Sequence, residues 1–223
     1  ALTNVTVGKV SSGRSYLSQI IVDGKILVNT NITPPNVPSI AATGSSVGTR
    51  QGFSIIKYTG SGSSGATVPH GLSQTPNFTI IKQTQNSGTP WDIYHSGYYV
   101  SGSKNYIRFD NGAAGYASDM FQTPTSSAMT LGGSGSMNNT VSYIMYCWHD
   151  VPGLQKFGSY TGGGSSYPFI ELGFSPAILM IKDTSTGGTH YDWKIIDSTR
   201  NPFNLGADNA DSKNVLFPNL SNA

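Results

Sequence analysis

Apolar residues in this chain come in short runs rich in β-branched and aromatic types: "YLSQIIV", "GFSIIKY", "NFTIIK", "NYIRF", "VSYIMYCW" and "AILMIK". Each run is bounded by Gly, Pro, Ser or Asn, and the chain holds 27 glycines and 12 prolines. In a helix interior Gly costs about 1 kcal/mol and Pro about 3 kcal/mol relative to Ala. Punctuation at this density leaves no amphipathic helix of three turns, whereas short apolar runs between turn formers are what strands require. The sequence predicts an all-β chain.

Internal similarity fixes the expected organisation. "GFSIIKYTGSGSSG" at 52–65 recurs as "KFGSYTGGGSS" at 156–166, and "SQTPNFTIIK" at 73–82 recurs as "FSPAILMIK" at 174–182. "WDIYHS" at 91–96 returns as "WKIIDS" at 193–198, and the "DN" of Asp110 and Asn111 as that of Asp208 and Asn209. Several matches in one order, at an offset of about 100 residues, predict two tandem related β-sandwich-like units, 51–153 and 154–223. The first unit ends on two further strand candidates, "SAMTL" and "VSYIMYCWHD". In the second, "VLFPNLSNA" is expected to stand where the first has the region of Phe121, so the last two strands are missing and the unit is incomplete. Lost strands leave an open sheet edge, which implies that the polypeptide continues or that another chain supplies them.

Upstream, residues 29–50 carry three prolines among small polar residues and read as an extended linker. "SYLSQIIVDGKIL" at 15–27 resembles the closing strand and turn of a concanavalin-type, laminin-G-like sandwich. Residues 1–28 are therefore expected to be the end of a preceding jelly-roll domain.

Charged residues make up 11% of the chain, well below the usual share of about a quarter. The surface must be wetted by neutral polar groups, as on secreted or virion-surface proteins. Lys and Arg total 13, scattered without a run, and the net charge is +2, so neither nucleic acid nor an anionic membrane is an expected partner. No apolar run approaches the length of a membrane helix. Cys147 is the single cysteine, which excludes an intrachain disulfide and reads as a buried thiol within "SYIMYCWH".

The chemical motifs carry little. "GSGSSG" at 60–65 spells a dinucleotide-loop spacing, but Pro69 and Gly71 prevent the helix that would present amides to a pyrophosphate. It reads as a turn between strands. "GSSVG" at 44–48 lies in the linker rather than at a strand-to-helix elbow, so Ser46 has no strained turn to activate it. The four histidines include no H-x-H or H-x-x-x-H pair, and Glu171 is the only glutamate, against the paired carboxyl groups of glycoside hydrolysis. Asp208 and Asp211 in "ADNADS" lack the pattern of a calcium loop and read as solvated turn residues. No catalytic residue, metal ligand or cofactor site is expected. The aromatic stretch 91–106, "WDIYHSGYYVSGSKNY", offers the candidate ligand-binding residues Trp91, Tyr94, Tyr98 and Tyr99, with Trp193 as the repeat of Trp91. Ring faces framed by hydroxyls suit sugars. For the two tryptophans core packing is the alternative, and Tyr98 and Tyr99 are the better surface candidates.

Taken together, "GFSIIKYTGSGSSG", "VPHGLSQTPNFTIIK", "WDIYHS", "KFGSYTGGGSS" and "SPAILMIK…WKIIDSTRNPFN" resemble a domain of unknown function found in marine phage proteins. There it typically follows a concanavalin-like lectin domain in cyanophage tail-fibre or other virion structural proteins. The resemblance covers residues 52–223 and brings no catalytic residues with it. It implies a non-enzymatic module at the virion surface, partnered by other virion proteins and by itself as a homotrimer, with a host-surface glycan as a further partner. The rival expectations are a cell-surface glycan-binding adhesin and a carbohydrate-active depolymerase.

Overall fold

The computed structural model describes residues 20–22, 25–27, 38–133, 135–163, 168–185, 192–200 and 215–220. The chain divides into two compact units, Ala1–Val37 and Pro38–Ala223. Of the first, the described part is a hairpin of β1 (Ile20–Val22) and β2 (Lys25–Leu27), paired Ile20 to Leu27 and Val22 to Lys25. The rest of the expected jelly-roll tail lies outside the described residues.

The second unit is all-β and antiparallel, as expected. Its main sheet has seven strands in the order β3 (Ala42–Gly48), β4 (Phe53–Thr59), β12 (Ser142–Trp148), β6 (Phe78–Gln83), β7 (Asp92–His95), β8 (Asn105–Arg108) and β9 (Tyr116–Ala117). A smaller sheet runs β10 (Phe121–Gln122), β11 (Ala128–Leu131), β5 (Ala66–Pro69). Alternation along β12 sets the layers, because successive side chains point to opposite faces. Tyr143, Met145 and Cys147 are buried toward one face, while Ile144, Tyr146 and Trp148 lie half-buried on the other. The first face joins Ile56, Tyr58 and Ile81 to Val68, Met129, Leu131 and Phe121 of the small sheet, forming the core of a two-layer sandwich.

One helical turn, α1 (Gly135–Asn138), closes this core. The stacked rings of Tyr58 and Tyr143 hold it: the Tyr58 hydroxyl donates to the Met137 carbonyl at 2.7 Å, and that of Tyr143 to the Gly135 carbonyl at 3.1 Å. The "GSGSSG" loop is a tied turn between β4 and β5. The buried Asn138 carboxamide accepts from the Ser61 amide (2.9 Å) and donates to the Ser63 carbonyl (2.8 Å). Gly60 is required there, since a Cβ would lie 2.2 Å from the Asn139 carbonyl oxygen.

Three features differ from the sequence reading. Ala42–Gly48, inside the stretch expected to be linker, is an exposed edge strand that takes its register from β4 through backbone pairing, with a bulge between Ala42 and Gly44. Ser46 therefore sits in a strand, and Ile40 beside it belongs to the core. Residues 156–163, the apparent copy of β4, form no strand, because "KFGSYTGG" lacks the paired isoleucines that seat β4 between its neighbours. Finally, Leu216 bridges to Ile195 just as Ile107 pairs with Ile93, so 215–220 stands in the place of β8 rather than of Phe121.

Candidate association surface

The outer face of the large sheet carries a second apolar cluster of Phe78, Ile93, Ile107 and Trp193. Ile80, Tyr98, Phe109, Trp148 and Phe157 pack against it. Phe78 is its hub, with ring centroids 5.5 Å from both Trp148 and Phe157, and Phe53 stacks on Trp148 at 4.8 Å. Phe157 arrives from the segment after β12, where its amide donates to the Asp150 carboxylate at 2.8 Å. Trp193 arrives from further along: its indole Nε1–H donates to the Arg108 carbonyl at 2.7 Å and its ring lies 5.3 Å from Phe109.

Trp193 introduces β14 (Lys194–Asp197), which pairs with β13 (Ile178–Ile181) in a two-stranded sheet. The register of this hairpin reproduces that of β6 and β7. Ile178 faces Asp197 and Ile181 faces Lys194, as Phe78 faces His95 and Ile81 faces Asp92. The closing bonds repeat as well, with the Ser198 amide donating to the Ala177 carbonyl at 2.9 Å and the Ser96 amide to the Asn77 carbonyl at 2.8 Å. Even the brace on each tryptophan recurs: the Trp91 amide donates to the Asp110 carboxylate, the Trp193 amide to the Asn219 carboxamide.

What differs is the cover. Phe78 is 7% exposed and Thr79 is fully buried, whereas Ile178 is 65% and Leu179 39% exposed. β6 is flanked by β12, and the Thr79 hydroxyl donates toward Met129 Sδ and Cys147 Sγ across the core. Among the described residues β13 has β14 as its one strand neighbour. Met180, Phe169 and Ile170 are exposed in the same segment, Phe169 at 91%. Fully burying a side chain of this kind contributes about 1.5–3 kcal/mol, and apolar exposure concentrated in one segment marks a surface for association.

The candidate ligand-binding aromatics are placed differently from one another. Tyr94 is buried between Tyr99 and Phe121, and Trp193 is 3% exposed, so protein occupies both ring faces. Tyr98 packs half-buried on the outer cluster and Tyr99 on the inner core. Trp91 is half-buried with the Lys82 ammonium 5.9 Å from its ring centroid, and that ammonium also donates to the Asn86 and Ser87 carbonyls and the Thr89 hydroxyl. The five residues form no common platform. The Asn77 carboxamide accepts from the Asp150 amide and donates to the Ser96 hydroxyl. Asp208 and Asp211 lie outside the described residues.

Two polar groups sit deep in the structure. Asp92 is fully buried, accepting from Arg108 Nε at 3.1 Å and from the Ser136 hydroxyl at 2.8 Å. Burial pushes its carboxyl up, and those two donors partly offset the rise. Arg108 also lies 4.5 Å from the Tyr116 ring centroid, a cation–π contact. Cys147 is fully buried, and desolvation pushes its thiol up to about 12, far from the thiolate that nucleophilic chemistry needs. No motif in the sequence marks Arg108, Phe157 or Trp148; their roles follow from the tertiary contacts alone.

The fold and this surface define an all-β, sandwich-like module with an exposed apolar hairpin. A family model for a domain of unknown function, DUF7483, matches residues 29–221, and the chain belongs to that family. No curated protein and no solved structure matches it.

Proposed function

We propose that this chain is a non-enzymatic structural and adhesion module of a phage virion, part of a tail fibre or comparable appendage, working in assembly or host-surface recognition. The observation that carries the reading is the exposure of Ile178, Leu179 and Met180 on a strand whose counterpart in the larger sheet is buried. An isolated two-stranded hairpin is at best marginally stable in water, so a hairpin that keeps three large apolar side chains at the surface suits a chain that meets another protein there. The low charge and the resemblance to virion modules support the same reading, with self-association as a homotrimer and other virion proteins as partners.

Sedimentation velocity across a wide concentration range tests it, together with turnover assays on surface polysaccharides. Concentration-dependent assembly without turnover is expected. A strictly monomeric chain that cleaves a glycan would overturn the reading in favour of a depolymerase.

A further inference from the structure

The hairpins β6–β7 and β13–β14 agree residue for residue in pairing, so the strand that pairs with β6 on the side away from β7 is a template for what fits the same edge of β13. That strand is β12, antiparallel, with Trp148 opposite Phe78, Cys147 opposite Thr79, Tyr146 opposite Ile80 and Met145 opposite Ile81. From this template we infer that β13 is an acceptor edge, and that its occupant is an antiparallel strand of another polypeptide bearing the side-chain pattern of Ser142–Trp148. The inference deepens the association reading and rests on it.

Three observations favour this occupant. Ile178–Ile181 contains no charge, no proline and no bulge, three of the devices that blunt an edge. Both faces of the strand present apolar groups, Ile178 and Met180 on one and Leu179 on the other. A partner with large side chains on both faces is therefore called for, as Tyr143, Met145 and Cys147 on one face of β12 and Ile144, Tyr146 and Trp148 on the other provide. Ser142–Trp148 is also uncharged, so pairing buries no ion. Strand addition of this type draws affinity from main-chain bonds and specificity from alternate side chains. In the added strand, the residue in the place of Trp148 lies opposite Ile178 and that in the place of Tyr146 opposite Met180.

The test uses the full chain and a labelled peptide of residues 141–150 carrying Cys147→Ser, followed by fluorescence anisotropy and amide hydrogen exchange. Saturable binding is expected, with exchange at Ile178–Ile181 slowed about tenfold or more. Met180→Lys and Leu179→Lys, at positions already exposed, weaken binding by about tenfold or more, as does a peptide of the same composition with its alternation broken. Binding that ignores these changes, or protection that maps to the edge strand β3 instead, overturns the inference. So does protection of β13 that depends on chain concentration with no peptide present, which would make a second copy the occupant. Sedimentation of the same samples separates the two levels: a chain that assembles yet ignores the peptide sinks the strand inference and leaves the association reading standing. A chain that does neither sinks both.

Discussion

The Trp193 indole donates its Nε1–H to the carbonyl of Arg108 at 2.7 Å, joining residues 85 positions apart. That bond, with the packing of the ring on Phe109 and in the Phe78 cluster, fastens the β13–β14 hairpin to the outer face of the large sheet. A tryptophan buried this deeply carries most of such an anchor, because its area is large and its polar atom is satisfied.

Trp193→Ala therefore costs about 3–5 kcal/mol, as loss of a buried Trp does. Trp193→Phe keeps much of the packing and loses one hydrogen bond, for about 1 kcal/mol. Urea denaturation gives the order of the two variants. Limited proteolysis should show the alanine variant opening after residue 155 while 38–150 resists; equal resistance throughout would remove the anchor role.

The pair of Asp92 and Arg108 gives a pH-dependent prediction. Burial raises the Asp92 carboxyl above its ordinary 3.8. The native state therefore holds the proton more tightly than the unfolded chain, and this group's contribution falls as pH rises through that raised window, then levels. Arg108→Met removes the charge that limits the rise. The variant should lose about 3 kcal/mol at pH 7, and progressively less as the pH falls and the raised carboxyl takes up its proton. A loss independent of pH would mean that the arginine acts through packing on Tyr106 and Tyr116 alone.

His70 works in the opposite sense. Its Nδ1 accepts from the Leu72 amide at 3.1 Å and its Nε2 lies 3.2 Å from the Thr125 carbonyl, an arrangement that fits the neutral ring with the proton on Nε2. Burial lowers its pKa from 6.5, and burial lowers that of His95 too. The unfolded chain then binds more protons, so stability is full above about pH 6.5 and declines as pH falls through the lowered values, by up to about 1.4 kcal/mol per pH unit per group. Thermal melts from pH 7.5 to 5 should show this decline, and His70→Gln should flatten part of it.

Cys147 should be inert in the native chain. Its thiol is fully buried and held near 12, so a thiol-specific reagent at pH 8 reacts only through opening of the core. Labelling should accelerate with denaturant in step with unfolding. Fast labelling of the folded chain would contradict the burial.

How much of this was legible varies from strand to strand. "FSIIKYT" and "SYIMYCW" are legible as strands from their β-branched and aromatic content, and both became neighbouring central strands. Which side chains point inward was not legible, because "SYIMYCW" is apolar on both faces and β4 turns Ser54 inward. In "ATGSSVG" nothing alternates, because an edge strand exposed to water needs only a backbone partner, and β4 provides one. "KFGSYTGGGSS" misled in the other direction, since similarity to a strand sequence does not supply the neighbours a strand needs. The aromatic stretch was visible as a cluster in sequence, yet residues one apart on a strand go to opposite faces; Tyr98 and Tyr99, which follow β7, likewise packed on different cores.

By itself the sequence determined the all-β class, the turns, and the recurrence of the β6 and β7 stretches in β13 and β14, since these follow from local backbone preference and from residue identity alone. It could not determine which surfaces those stretches would keep. Only the tertiary structure decided that Phe78 would be covered and Ile178 left open, because burial depends on which strand lies alongside and which layer lies above, and no short stretch of chain encodes its neighbours.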